Sequence, residues 1–195
     1  MIVTMVSRQE SAAATRRALL DATRELLAEG GQQAVTLREV GARAHVSRGA
    51  AYRHFADKES LLAAVGAESW DRIAEELAGL GEPEAGGAAA GLRAALGALL
   101  TVSREEPEVY RMMFTMPAQD PELAIRAAGR AQDEFLRIVG TVVGDERAHL
   151  YGAMLLTSVH GIASMHASGH LDPQMWQTTP DDLVEALVAL VTREG

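Results

Sequence analysis

A chain of 195 residues has room for one ordinary domain or for two small ones that share an interface. At 48% hydrophobic but only 4% aromatic, it suits an Ala/Leu-rich helical protein with a substantial core. The absence of Cys excludes disulfides and thiolate chemistry, and a net charge of −9 argues against nonspecific coating of nucleic acid.

Met1 to Val6 is apolar but too short for a secretory leader, and Arg8 follows it instead of preceding it. No apolar run approaches the length of a membrane span, so a cytoplasmic protein without a membrane partner is expected. Residues 1 to about 11 read as an N-terminal arm. The first helix is expected over about Ala12 to Glu29, with Leu19, Ala22, Leu26 and Leu27 on one face and Gly30-Gly31 as its stop.

The run from Thr36 to Leu61, TLREVGARAHVSRGAAYRHFADKESL, predicts a helix-turn-helix followed at once by the start of another helix. Thr36 is an N-cap residue type placed before the apolar positions Leu37, Val40 and Ala44. His45-Val46 fits a tight turn, and Ser47 is a second N-cap eleven residues after the first. Arg48 to Phe55 then makes about two turns. Two short capped helices with almost no loop between them form a DNA-reading unit more often than an enzyme core. A recognition helix must approach base edges, and Gly49 and Ala50 supply small side chains there. Arg48 beside them can fork onto a guanine edge or a phosphate. Tyr52 and His54 suit hydrogen bonds to phosphate oxygens. Lys58, the only lysine, follows the Asp57 N-cap, where its ammonium and the free helix N–H groups can share a phosphate.

These residues carry a resemblance. Thr36, Val46-Ser47, Gly49-Ala50, Tyr52, His54-Phe55 and Lys58-Glu59-x-Leu61, with the preceding helix Arg16 to Gly30, are similar to the DNA-binding domain of the TetR family of transcriptional regulators. The resemblance implies phosphate contacts from Thr36, Tyr52, His54 and Lys58, and base readout from Ser47 to Arg53. The candidate DNA-contact set is thus Thr36, Arg38, Ser47, Arg48, Gly49, Ala50, Tyr52, Arg53, His54 and Lys58. Three positions depart from the family pattern: Gly41 replaces Ala, His45 replaces Gly and Ala51 replaces Leu. Position 45 is expected near left-handed φ/ψ, which His tolerates better than most side chains. Small residues at 41 and 51 remove volume between the two helices, so a tighter crossing or a less stable domain is expected.

The charge divides along the same line. Residues 1–60 hold nine Arg/Lys and seven Asp/Glu, whereas residues 61–195 hold nine and twenty. The acidic excess lies wholly in the second part, where it would repel DNA and orient the basic end towards it.

Beyond residue 60 the chain reads as helices, near 58–80, 88–104, 107–115, 121–142, 146–169 and 181–193, without an alternating strand pattern. The glycine-rich run Gly79 to Gly91 lacks the Gly-Lys-Ser/Thr and the preceding strand of a phosphate loop and reads as a surface loop. Pro107-x-x-Tyr110-Arg111-Met-Met-Phe114 and Val159-His160-Gly161-x-Ala163 resemble motifs of one TetR C-terminal domain type, although a Trp usual before the His-Gly is missing. That resemblance implies a ligand cavity between helices and pairing with a second copy through the last two. The final helix is apolar around most of its circumference, from Leu183 to Val191, which is more than one buried face requires. His160, Ile162, Leu183, Leu187 and Leu190 are the candidate pairing residues. Met113, Phe114, Met116, Phe135, Tyr151, Met154, Ser158 and Trp70 are candidate walls of an effector cavity, although Met residues serve an ordinary core equally well.

His166 and His170 lie four apart, but no Cys or neighbouring acid completes a metal site, and no Ser/His/Asp set has activating context. Neither a metal, a cofactor nor an enzyme is expected. The sequence predicts an all-α chain: a three-helix helix-turn-helix domain over 1–60 and a larger helical effector-binding and dimerisation domain over 61–195, about nine helices in all. Its expected partners are double-stranded operator DNA, a second copy of itself and a small-molecule effector. A small-molecule-binding protein that lacks operator binding is the alternative.

Overall fold

Long stretches of Ala, Leu, Glu and Arg with apolar residues every three or four positions favour helix over any other backbone. In the computed structural model, which describes residues 8–80, 87–115 and 121–194, ten helices and no strand form among the described residues. They are α1 (Arg8–Ala34), α2 (Leu37–Arg43), α3 (Arg48–His54), α4 (Lys58–Gly79), α5 (Ala88–Glu105), α6 (Pro107–Met113), α7 (Pro121–Val143), α8 (Asp145–Ala167), α9 (Pro173–Trp176) and α10 (Pro180–Glu194). Most of the expected N-terminal arm, the middle of the glycine-rich run and Met116 lie outside the described residues.

Two boundaries differ from expectation. Helix α1 begins at Arg8, four residues early, because Arg8 to Ala14 contains no helix breaker. The glycine stop is an internal break: Gly30 lies at φ −154°, ψ 20° and Gly31 at φ 63°, ψ −164°, after which the chain resumes a last turn to Ala34. The positive φ of Gly31 is a conformation that a Cβ would strain. The short α9 falls between the helices expected near 146–169 and 181–193. Its signal is present in the sequence, since Asp172 caps it by accepting from the Gln174 amide at 2.7 Å and Pro173 occupies its first turn.

The contacts divide the chain into two compact units. The first holds residues up to Ala67 together with Glu108–Ala124, and the second holds Glu68–Pro107 and Ile125 onwards. The division falls inside α4, at 67/68 and not at 60/61, and α6 groups with the first unit. Apolar spacing continues unbroken from Leu61 through Val65 and Trp70 to Leu77, so no composition shift marks the place.

In the first unit α1 packs on α2 and α2 on α3. Leu19, Leu20, Leu27, Val35, Val40, Ala51, Leu61 and Val65 are all buried. In the second unit α5 packs on α8 and α10, and α8 on α10. Arg104 of α5 reaches Asp181 of α10 at 2.7 Å, and Arg93 pairs with Glu185 on the same two helices. These exposed pairs are screened by water and contribute little. The apolar burial of Leu92, Leu96, Leu100, Leu155, Val159, Val184 and Val188 holds the unit together. No described helix is long and apolar enough to cross a membrane.

Candidate nucleic-acid interface

Two hydroxyl caps define the helix-turn-helix. Thr36 Oγ1 accepts from the Glu39 amide at 3.1 Å, and Ser47 Oγ accepts from the Ala50 amide at 3.2 Å. Each fixes where its helix starts, and each cap is worth about 1 kcal/mol. Between them His45 stands at φ 55°, as expected of the turn position, and the Val46 amide donates to the Gly41 carbonyl at 2.9 Å. The tighter crossing expected from the small residues at positions 41 and 51 is not seen. Gly41 and Ala51 are buried, and a Cβ built on Gly41 would meet the Ala51 Cβ at 3.6 Å, an ordinary contact. The helices therefore cross at a distance that leaves room for one methyl group.

Thr36, Arg38, Ser47, Arg48, Gly49, Tyr52 and Arg53 are exposed, while Ala50, His54 and Lys58 are half-buried. All ten expected DNA-contact residues belong to α2, α3, their caps or the first turn of α4. A capping hydroxyl uses an oxygen lone pair, so the O–H of Thr36 and of Ser47 can still donate to a phosphate. The Arg48 guanidinium lies 5.5 Å from the centre of the Tyr52 ring, one turn away on the same helix. Gly49 has no side chain to hold a base edge off the backbone.

Lys58 has a partner within the unit as well. Its ammonium donates to the Gln32 carbonyl in the last turn of α1. Asp57 caps α4 as predicted: its Oδ1 accepts from the Ser60 amide at 2.8 Å, and Ser60 Oγ accepts from the Asp57 amide at 3.2 Å. An ammonium has three donors, so one bond to Gln32 leaves two for a phosphate. Lys58 thus also ties α4 to α1.

Two arginines that the sequence reading did not single out surround this surface. Arg43 of α2 forks onto Glu29 of α1 at 2.8 and 2.9 Å and reaches Glu25 at 3.1 Å. That hydrogen bond holds the Glu29 carboxyl below its ordinary range and pushes the Arg43 guanidinium further up. Its charge is spent within the unit. Arg16 of α1 lies over the Phe55 ring at 5.3 Å, which adds a cation beside the end of α3. No local signal marks either arginine, since both partners are distant in sequence.

The other two expected sets are spread more widely. Among the cavity candidates, Met113 is buried and Phe114 half-buried in the first unit, their helix carrying Tyr110 at 5.0 Å from the Phe114 ring. Burial raises the Tyr110 hydroxyl to about 12. Trp70, Phe135, Tyr151, Met154 and Ser158 belong to the second unit. Trp70 and Phe135 are buried there, Tyr151 is half-buried beneath Arg147, and the Ser158 hydroxyl donates to the Met154 carbonyl at 2.7 Å. Met154 is 53% exposed, on the outer side of α8. Of the pairing candidates, His160, Ile162, Leu183 and Leu187 are half-buried and Leu190 is exposed. Leu150, Met165, Met175 and Trp176 are exposed apolar residues that the sequence reading did not assign to pairing. No cluster of three potential metal ligands occurs among the described residues.

Comparison with known proteins places this arrangement. Over 58 residues the chain is 43% identical to the HTH-type transcriptional repressor KstR of Rhodococcus jostii (strain RHA1), covering 30% of this chain and 27% of that protein. The chain spans about a third or less of the curated relatives it matches. Among solved structures, a protein with unknown function from Rhodococcus sp. RHA1 is 26% identical, with 92% of this chain and 94% of that one aligned and a TM-score of 0.77. The transcriptional regulator FadR from Bacillus subtilis, in complex with stearoyl-CoA, shares the fold at 14% identity and a TM-score of 0.66, over 92% of this chain and 98% of that one. Residues 19–65 match the bacterial regulatory proteins of the tetR family, and residues 92–191, half of the chain, match the tetracyclin repressor-like C-terminal domain. The chain therefore belongs to the TetR family, a family of transcriptional regulators and not of enzymes.

Proposed function

We propose that this chain is a transcriptional repressor that binds a palindromic DNA operator as a homodimer and is released by a small-molecule effector. The observation that carries the reading is the capped α2–α3 unit with Arg38, Ser47, Arg48, Tyr52 and Arg53 all exposed along it. Polar, cationic and small side chains on so short a helix pair suit the major groove and its flanking phosphates. The match to KstR, itself a repressor, supports the sign of regulation.

Pairing is supported by two apolar stripes in the second unit. Leu150, Met154, Thr157 and Gly161 follow one another along α8 at heptad spacing, and Leu183, Leu187 and Leu190 do so along α10. Leu150, Met154 and Leu190 are 64%, 53% and 61% exposed in the single chain. Exposed apolar rows of this kind on packed neighbouring helices mark an association surface. Pairing would supply two α3 helices, and two such helices about 34 Å apart read half-sites one turn of duplex apart. Effector binding is supported by the C-terminal family match and by the FadR complex, a protein of this fold that holds stearoyl-CoA. Trp70, Phe135 and Tyr151, all in the second unit, are the proposed lining. The effector acts by binding better to an arrangement of the dimer that fits the operator poorly, since only differential affinity can shift such an equilibrium.

The test is selection of bound fragments from genomic DNA by the purified chain. An enriched inverted repeat is the expected result. A well-folded, ligand-free dimer that enriches no sequence would overturn the reading and favour a small-molecule-binding protein without an operator.

A further inference from the structure

The Arg48 guanidinium, held over the Tyr52 ring, gives the proposed DNA reading a more specific form. We infer that Tyr52 is a positioning residue for Arg48, holding its guanidinium to read one guanine in each operator half-site; this rests on the DNA-binding reading above. Arg48 is the first residue of α3 and Tyr52 lies one turn on, so both side chains share a face of the helix. Both are exposed, Tyr52 by 47%, and the guanidinium carbon sits 5.5 Å from the ring centroid. That is within the range at which a cation is attracted to the ring's π face. A free arginine on a seven-residue helix samples many rotamers, and ordering it opposes binding. The ring removes part of that freedom before DNA arrives. A guanidinium attracted to a ring through its charge makes no hydrogen bond to it, so its N–H groups stay available and two of them can meet O6 and N7 of a guanine. Gly49, exposed beside Arg48, adds no side chain to keep the base pair at a distance.

The other α3 cation behaves differently. The Arg53 guanidinium lies beside Gly49, 3.8 Å from where a Cβ would stand there. It suits a phosphate, which places few demands on orientation. The polar tip of Tyr52 and its ring thus have separable tasks: the hydroxyl can bond a phosphate while the ring orients Arg48.

That separation gives the test. Fragment selection and competition binding are run on the full chain and on Arg48→Ala, Tyr52→Phe, Tyr52→Leu and the Arg48→Ala/Tyr52→Leu pair, with thermal melting to confirm each fold. The wild type should enrich one guanine in each half-site, and Arg48→Ala should lose tenfold or more of the preference for it. Tyr52→Phe keeps the ring and should weaken all sequences alike with that preference intact. Tyr52→Leu should lower the preference by about two- to fivefold, and should add nothing once Arg48 is gone. An unchanged or sharper guanine preference in Tyr52→Leu would overturn the inference while leaving operator binding in place. So would a bound operator with no guanine dependent on Arg48. Absence of any selected sequence would instead remove the DNA-binding reading beneath it.

Discussion

The two units of this chain make opposite use of short-range information. In the first, the features that matter are set within a few residues of each other: a hydroxyl and the amide three positions on, a histidine at positive φ, an arginine and a ring one turn apart. In the second, what matters is which side of a long helix faces water, and that is decided by helices far off in the chain. Leu155 is buried and Met154, its neighbour, is 53% exposed; Val191 is buried and Leu190 is 61% exposed. Local chemistry specifies the surface proposed to read DNA, whereas packing specifies the surface proposed for association.

The largest expected effect tests that contrast inside α8. Leu155→Ala should lower the free energy of unfolding by about 3 kcal/mol, the usual loss for a buried leucine. Met154→Ala, studied by urea unfolding at concentrations that keep the chain monomeric, should change it by about 0.5 kcal/mol or less. The same Met154→Ala, or more severely Leu190→Glu, should weaken self-association in sedimentation equilibrium. Equal losses at 154 and 155 would break the distinction between the two faces.

Next in size is Lys58→Ala. The lost phosphate contact should lower the slope of log affinity against log salt by about 0.9. The bond to Gln32 adds a second consequence, a fall in melting temperature, which a residue serving DNA alone would not produce. Removing either cap, by Thr36→Ala or Ser47→Ala, should cost about 1 kcal/mol each in denaturant unfolding. Gly41→Ala should act in the other direction, raising stability by about 0.5–1 kcal/mol, because the methyl fits against Ala51 and helix interiors favour Ala over Gly. A destabilised Gly41→Ala would mean that the α2–α3 crossing is closer than described.

The smallest effect belongs to the second unit. Asp182 and Thr179 cap α10 reciprocally, with Thr179 donating from its hydroxyl at 2.7 Å and its amide at 2.9 Å. These bonds, that from the hydroxyl first, hold the Asp182 carboxyl below its ordinary value. Its contribution to stability is therefore complete above the ordinary carboxylate range and is lost as the pH falls through the depressed value. NMR titration should show that depression, and Thr179→Ala should reduce it while the backbone amide bond keeps part of it.

Most of the helices, and the caps of the helix-turn-helix, were legible in the sequence for a physical reason. Caps, helix stops and the turn at His45 depend on residue types at fixed short spacings, and the structure places Thr36, Ser47, Asp57 and Gly31 in those conformations. Arg43 and Arg16 went unread because their partners, Glu29 and Phe55, are 14 and 39 positions away and nothing local marks them. Lys58 was read as a phosphate ligand alone, since its bond to Gln32 exists only once α1 and α4 have come together. The place where the units divide was invisible because α4 carries the same apolar spacing through it. The cavity candidates drew on residue type alone, and a methionine inside a helix looks the same whether it faces inward, like Met113, or outward, like Met154.

The most direct test of the central claim is the affinity of the purified chain for its selected operator across a series of salt concentrations. The account predicts a steep linear fall in log affinity with log salt, together with loss of binding when Arg48, Tyr52 and Lys58 are replaced at once. Affinity that ignores salt, or that survives the triple replacement in a folded protein, would contradict it.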